Sequence, residues 1–125
     1  MKVFLLAPKE YWKLSKEEKQ KYCNGCGGRG GKLNFLIPQR YFRECCNIHD
    51  YMYAVGSNEN DKKRADATFL YNMNQVVKEM SGIKKWWYKR LAKIFYKAVF
   101  KYGDYYFWRD KIDTSLNMNL TDIKG

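Results

Sequence analysis

The chain has 125 residues, enough for one domain and too few for two ordinary ones; 46% are hydrophobic and 30% charged. This composition excludes intrinsic disorder, and no apolar run approaches the roughly 20 residues of a membrane-spanning helix. The 24 Lys and Arg against 13 Asp and Glu give a net charge of +11, which predicts attraction to nucleic acid or to an anionic lipid surface.

The first eight residues, MKVFLLAP, contain an apolar stretch of only five residues. That stretch is shorter than the apolar core of a signal peptide, so the sequence predicts no export signal. We therefore expect a cytoplasmic protein or one released without a signal.

The N-terminal part predicts a short helix followed by a loop. Ser15 and Glu18 have the spacing of a capping box, so a helix is expected to begin at Ser15 and to run to about Tyr22. The segment 23–32 then holds five glycines in ten residues, which indicates a loop with sharp bends. These glycines are Gly25, Gly27, Gly28, Gly30 and Gly31.

Two further helices are predicted from apolar residues at helical spacing. Pro38 is typical of a first helical position and Gly56 of a helix end. The inward positions of this helix are Phe42, Cys46, His49 and Tyr53. Asn60 or Asp61 is expected to cap the next helix, which ends before Gly82 and whose inward positions are Asp66, Leu70, Met73, Val77 and Met80.

The last helix is predicted over about 84–102, with a break at Gly103 and a polar, weakly structured tail beyond Arg109. One predicted face is apolar and should pack inward: Trp87, Leu91, Ile94, Phe95, Ala98 and Tyr102. The opposite face is basic: Lys89, Arg90, Lys93, Lys97 and Lys101. Since no segment alternates as a strand does, the fold is predicted to be all-α.

Two polar residues, His49 and Asp66, lie on faces that should be buried. Helices joined by a short turn pack antiparallel, so the two side chains are expected to meet. An unpaired buried carboxylate costs several kcal/mol, which a His–Asp hydrogen bond largely removes. The pattern is compatible both with a structural polar pair and with a reactive one.

Asp50 follows His49 directly and therefore points about 100° further round the helix. It lies close enough in sequence to the glycine-rich segment for that segment to fold over it. A carboxylate together with backbone carbonyls suits Ca²⁺, which prefers oxygen ligands. The sequence therefore indicates a calcium site beside the His–Asp pair.

The four cysteines, Cys23, Cys26, Cys45 and Cys46, allow two disulfides, a metal site or reduced thiols. The absence of a visible export signal favours reduced thiols or metal. Cys23, Cys26 and Cys45 with His49 have the spacing of a Cys3His zinc site. A zinc-stabilised module that binds nucleic acid or membrane without catalysis is therefore the alternative, although it leaves both aspartates without a role.

Over roughly residues 22–73, the chain resembles the secreted phospholipase A2 superfamily. Residues 45–53, CCNIHDYMY, match its helix signature of two cysteines, two residues, His-Asp, and a tyrosine four after the histidine. Residues 26–31, CGGRGG, resemble its calcium loop, and Asp66 fits the place of its second aspartate.

The chain also departs from that family. Met52 stands where many secreted members have a cysteine, and Arg29 where a glycine is usual. Because the dense disulfide framework is absent, the chain looks closer to minimal microbial or viral relatives. The resemblance favours a disulfide between Cys26 and Cys46 that ties the loop to the helix, with Cys23 and Cys45 as a second pair.

The resemblance implies the following roles. His49 is the general base that activates water, Asp66 orients its imidazole, and Tyr53 hydrogen-bonds Asp66. Calcium is bound by Asp50 and by loop carbonyls, and one loop N–H assists the oxyanion. The implied loop groups are the carbonyls of Gly25, Gly27 and Arg29, with Gly30 in place of Arg29 if the loop is shorter, and the N–H of Gly27.

The implied protein is one phospholipase A2-like domain over 1–125, with loop and catalytic core at about 22–81, a helix at about 84–109 and a polar tail at 110–125. Two long antiparallel helices carry the site. The implied activity is calcium-dependent hydrolysis of the sn-2 ester of glycerophospholipids. The basic face of the last helix is expected to bind an anionic membrane surface, with nucleic acid as the alternative partner.

Overall fold

The structure, a computed structural model, describes residues 3–23 and 39–124, with side chains at 3–23, 41–103 and 107–108. Within these ranges it contains five helices and no strand, so the all-α prediction is confirmed. The helices are α1 Lys9–Trp12, α2 Lys16–Tyr22, α3 Gln39–Val55, α4 Glu59–Lys78 and α5 Gly82–Lys124. None of them, as far as the described ranges go, is both long enough and apolar enough to cross a membrane.

The helix α2 begins as its sequence predicts. Ser15 Oγ accepts the Glu18 backbone N–H at 3.1 Å, and a Glu18 carboxylate oxygen accepts the Ser15 N–H at 3.0 Å. This reciprocal pair satisfies two N–H groups that a helix start leaves unpaired. The single turn of α1 was not predicted, because it follows Pro8 without a side-chain cap.

The turn between α3 and α4 differs from the prediction in its cap. α3 ends at Val55, one residue before Gly56, as expected. The cap of α4 is Asn58, not Asn60 or Asp61: Asn58 Oδ1 accepts the Asp61 N–H at 2.9 Å. The Asp61 carboxylate instead accepts the Ser57 N–H at 2.8 Å. The extended backbone at Asn58 places its oxygen over the first turn, and so Asp61 lies inside the helix.

The helix α3 is central to the core, because all three apolar clusters include its residues. The largest cluster joins α3, α4 and α5: Phe42, Cys45, Cys46, Phe69, Met73, Val77, Ala92 and Phe95. The second joins α1 and α3: Tyr11, Ile48 and Tyr51. The third lies beside the α3–α4 turn: Tyr53, Ala65 and Phe107.

The helix α5 is longer than predicted. It continues through Gly103 to Lys124, so the expected break and the expected unstructured tail are both wrong. Gly103 is buried, and a Cβ there would collide with the Tyr53 hydroxyl. This glycine therefore serves the close approach of α5 to α3, and it does not end the helix.

The inward face of α5 is also rotated from the predicted one. Trp87, Ile94 and Tyr102 were expected inside but are 51%, 53% and 64% exposed. Phe95 is buried as expected, whereas the buried Ala92 was not foreseen. Because Ala92 is small, α5 can approach the core on that side, which turns the larger residues outward. The five predicted basic-face residues, Lys89, Arg90, Lys93, Lys97 and Lys101, are all exposed.

The helix α4 buries three polar residues, Lys62, Asp66 and Asn72. Asn72 fixes the N-terminal segment: its Oδ1 accepts the Leu6 N–H at 2.7 Å, and its Nδ2 donates to the Leu6 carbonyl at 2.8 Å. Of the predicted inward positions on α4, Asp66, Met73 and Val77 are buried.

Candidate functional site

The facing surfaces of α3 and α4 place three polar side chains together. His49 and Tyr53 are one turn apart on α3, so they share a face, and Asp66 lies opposite on α4. His49 Nε2 is 2.8 Å from Asp66 Oδ1, and the Tyr53 hydroxyl donates to the same oxygen at 2.6 Å. Asp66 is fully buried, and His49 keeps 7% of its surface exposed. The structure thus brings together the three side chains that the resemblance named.

A fourth residue of this cluster was not foreseen. Lys62, which is only 2% exposed, donates from Nζ to Asp66 Oδ2 at 2.8 Å. The same Nζ lies 3.4 Å from the carbonyl oxygens of Val99 and Phe100 on α5. The spacing of four residues between Lys62 and Asp66 is a sequence signal for such a pair. The sequence does not single out this pair, because Lys62 stands in a run of cations typical of a solvated helix face.

The ionisation of the cluster follows from burial and from these contacts. Burial lowers the pKa of His49, and the charge of Lys62 adds to this, although Asp66 acts in the opposite direction. Burial alone would raise the pKa of Asp66, but the hydrogen bonds and charge from His49, Lys62 and Tyr53 outweigh it, so that pKa is lowered. The arrangement favours a neutral imidazole beside an ionised carboxylate.

The imidazole is also held by its packing. Its ring stacks on Phe69, with centroids 4.6 Å apart, and lies 4.1 Å from the Tyr53 ring. A neutral imidazole that donates from Nε2 to Asp66 has an acceptor lone pair at Nδ1. Among the described residues, none is hydrogen-bonded to Nδ1. The ring is thus oriented to accept a proton at that atom.

Asp50 follows His49 directly on α3. Its side chain is half-buried. Burial raises the pKa of Cys23 to about 11, and the negative charge of Asp50 contributes to that shift. Asp50 therefore lies near Cys23, the last described residue before the glycine-rich segment.

The predicted loop groups, on Gly25, Gly27, Arg29 and Gly30, lie outside the described residues, as do Cys26 and Pro38. Within the residues that the structure describes, no three His, Cys, Asp or Glu side chains come together as a metal cluster.

The cysteines separate into two kinds. Cys46 is disulfide-bonded, and its predicted partner lies outside the described ranges. Cys23 and Cys45 are free thiols, so the prediction that they pair is wrong. Cys45 lies in the α3–α4–α5 core, whereas Cys23 packs beside the Tyr11 cluster and donates to the Asn47 carbonyl at 3.3 Å.

The free thiols lie in different surroundings. Burial raises the pKa of Cys45 to about 12 and that of Cys23 to about 11. These two cysteines and His49 are the described members of the predicted Cys3His set. Each of the three contacts a different group of residues. His49 Nε2 is already hydrogen-bonded to Asp66.

Comparison with known proteins gives a partial similarity. Conodipine-P2 and conodipine-P1 of Conus purpurascens are 36% identical to this chain over 70 residues, and conodipine-P3 of the same species is 34% identical. The match covers 54% of this chain and 36% of each conodipine, so it spans about a third of the length of those relatives.

No protein-family profile matches the chain, and no solved structure matches it. The three conodipines come from one animal species, so they do not support the microbial or viral type that the sequence suggested.

Proposed function

We propose that this chain is a calcium-dependent phospholipase A2, which hydrolyses the sn-2 ester of glycerophospholipids at an anionic membrane surface. The observation that carries the proposal is the buried pair of His49 and Asp66, in which the imidazole is held at Nε2 and its Nδ1 has no hydrogen-bond partner among the described residues. The similarity to the conodipines supports a relation to the phospholipase A2 superfamily.

In this proposal His49 is the general base. Its Nδ1 takes a proton from a water molecule whose oxygen attacks the ester carbonyl carbon. The same proton then passes to the departing alkoxide oxygen, so the products are a fatty acid and a lysophospholipid. Asp66 holds Nε2–H, fixes the tautomer and stabilises the transient imidazolium, as the aspartate of a catalytic triad does. Tyr53 donates a second hydrogen bond to the same carboxylate oxygen.

The donor set fits a hard cation. Asp50 is a half-buried carboxylate close to the start of the loop, and backbone carbonyls are neutral oxygen ligands of the kind that Ca²⁺ accepts. Asp50 and the carbonyls of Gly25, Gly27 and Arg29 would hold the ion, and the Gly27 N–H would be a second oxyanion donor. When bound, the ion supplies Lewis-acid stabilisation of negative charge on the ester and phosphate oxygens.

The outer side of α5 fits a lipid surface. Its exposed cations lie beside two exposed tryptophans, Trp86 at 58% and Trp87 at 51%, and the Arg90 guanidinium lies 5.1 Å from the Trp86 ring. Tryptophan is favoured at membrane–water interfaces, and a cation near an anionic bilayer contributes about 1 kcal/mol. We therefore propose that this side of α5 is the membrane-binding surface.

The decisive experiment measures fatty-acid release from anionic phospholipid vesicles, with calcium and with excess chelator. His49→Gln should lower turnover at least about a hundredfold, because general-base catalysis contributes that much or more, with helical content unchanged. Lys63→Gln, a change of an exposed residue, is the matched control. Equal turnover of wild type and His49→Gln, or equal turnover in chelator, contradicts the proposal.

The metal is tested separately by Asp50→Ala, which should abolish calcium binding because it removes the one charged ligand in the proposed set. Elemental analysis of the purified wild-type protein distinguishes the alternative. One zinc per chain, lost together with the fold on strong chelation, would favour the zinc-stabilised module.

The surface is tested by Lys93→Glu/Lys97→Glu, which should weaken vesicle binding, most visibly at low salt, and leave hydrolysis of a dispersed short-chain substrate unchanged. Lys63→Glu/Lys78→Glu changes the net charge equally on α4 and is the control. Equal losses in both double variants would show that total charge is responsible. Normal vesicle binding by the α5 variant with lost affinity for DNA or RNA would favour the nucleic-acid alternative.

A further inference from the structure

Lys62 carries a buried ammonium group, and the proposed mechanism gives this group no role. Its side chain is 3% exposed, and lysine is almost never fully buried unless it is paired. Its partner is Asp66, and the two groups are 2.8 Å apart. A buried carboxylate and a buried ammonium each lose hydration, so each is stable in this position chiefly because of the other.

The hydrogen bonds to Asp66 are divided between its two oxygens. His49 and Tyr53 both contact Oδ1, while Lys62 contacts Oδ2. A carboxylate held at one oxygen alone can rotate about its Cβ–Cγ bond, whereas one held at both oxygens is fixed in plane and direction. The contact of Lys62 thus determines where Oδ1 points.

The Lys62 ammonium also contacts a third helix, α5. Its Nζ lies 3.4 Å from the carbonyl oxygens of Val99 and Phe100, and 5.6 Å from the Phe100 ring. These groups belong to α5, which Gly103 brings against Tyr53 one turn further along. The orientation of Asp66 therefore depends on α5 as well as on α3 and α4.

We propose that Lys62 is a positioning residue of the active site, which rests on the proposed function above. By holding Asp66 Oδ2 and the α5 carbonyls, it directs Oδ1 at the Nε2–H of His49. In this role it acts through the carboxylate of Asp66.

The test compares Lys62→Met, which keeps the aliphatic stem and removes the charge, with Lys62→Arg, which keeps a cationic donor. Lys63→Met, at the neighbouring exposed position, is the matched control. A displaced base lowers turnover about tenfold to a hundredfold, so Lys62→Met should lower kcat by this factor with KM nearly unchanged. Lys62→Arg should recover a large part of kcat. A wild-type kcat in folded Lys62→Met overturns the proposal.

A second measurement does not depend on activity. In ¹H–¹⁵N spectra, a hydrogen-bonded Nε2–H of His49 should exchange slowly with water in the wild type and rapidly in Lys62→Met. Unchanged exchange in Lys62→Met overturns the positioning role, even if the chain proves to hydrolyse no phospholipid. If Lys62→Met does not fold, Lys62→Gln, which loses the charge, and Lys62→Arg, which keeps it, provide the comparison: faster exchange in Lys62→Gln than in Lys62→Arg supports the role, and equal exchange in the two contradicts it.

Discussion

Two of the polar residues buried on α4, Asp66 and Asn72, lie six positions apart, and their surroundings differ. Asp66 is charged, and it accepts hydrogen bonds from side chains of α3 and α4. Asn72 is neutral, and both polar atoms of its amide are bonded to the backbone of one residue, Leu6. Both side chains are fully buried.

The difference separates a structural role from a reactive one. The Asn72 amide uses both its donor and its acceptor on main-chain groups, which leaves nothing for chemistry. The Asp66 cluster ends in His49, whose Nδ1 has no partner among the described residues. A buried ion pair is also a poor way to stabilise a fold, since apolar residues of similar volume often do as well or better. The charged cluster is therefore the one to which the proposed function assigns catalysis.

The largest effect on stability is expected at the charged residue. Asp66→Asn leaves the Lys62 ammonium buried without its counter-charge, which typically costs about 3–5 kcal/mol of unfolding free energy. Lys62→Met/Asp66→Asn removes both charges and should recover much of that loss. Urea unfolding of the four proteins of this cycle measures the coupling. Additive effects of the two substitutions would mean that the pair is not energetically linked.

Acidification should lower the free energy of unfolding through the same cluster. The pKa of His49 and that of Asp66 are both lowered in the folded chain, so the unfolded chain binds more protons at low pH. Stability should therefore begin to fall as the pH drops below the ordinary histidine value of about 6.5, and fall again below the ordinary aspartate value of about 3.9. Unfolding in chelator at a series of pH values tests this. The His49→Gln protein should lose the first decline, and its second decline should be smaller, because His49 contributes most to lowering the pKa of Asp66.

A smaller effect is expected at the neutral residue. Asn72→Leu leaves the Leu6 N–H and carbonyl without their partner, and an unsatisfied buried group costs roughly 1–3 kcal/mol. Since this segment can move outward to water, we expect about 2 kcal/mol in total, with kcat of the folded protein unchanged. Urea unfolding and hydrogen exchange of the Leu6 amide measure it. A loss of kcat without a loss of stability would contradict the structural assignment.

The sequence predicts much of the helical framework because its signals are local. The capping box at Ser15 and the helix end at Gly56 depend on residues within one turn, and both agree with the structure. The partnership of His49 and Asp66 follows from two inward-facing stripes and a short connecting turn. Such features need no knowledge of distant contacts.

The parts that sequence analysis missed depend on tertiary packing. The sequence predicts a helix end at Gly103, because neighbouring residues do not reveal that this glycine allows the close approach of Tyr53. Trp87 and Ile94 were expected inside, since helical periodicity predicts a face but not how far it is rotated. Lys62 was missed because its burial depends on α5, which is distant in sequence.

The smallest loss of stability is expected where a pair of hydrogen bonds like that of Asn72 and Leu6 is exposed to solvent. Ser15 and Glu18 exchange two hydrogen bonds, as Asn72 and Leu6 do, but on a helix with no buried residue. Water can replace the lost partner there, so Ser15→Ala should cost about 1 kcal/mol, or about a fivefold increase in local opening. Hydrogen exchange of the α2 amides measures this, and Ser15→Asp, which keeps a capping oxygen, is the control. If Ser15→Ala costs as much as Asn72→Leu, then burial is not what distinguishes the two pairs of bonds.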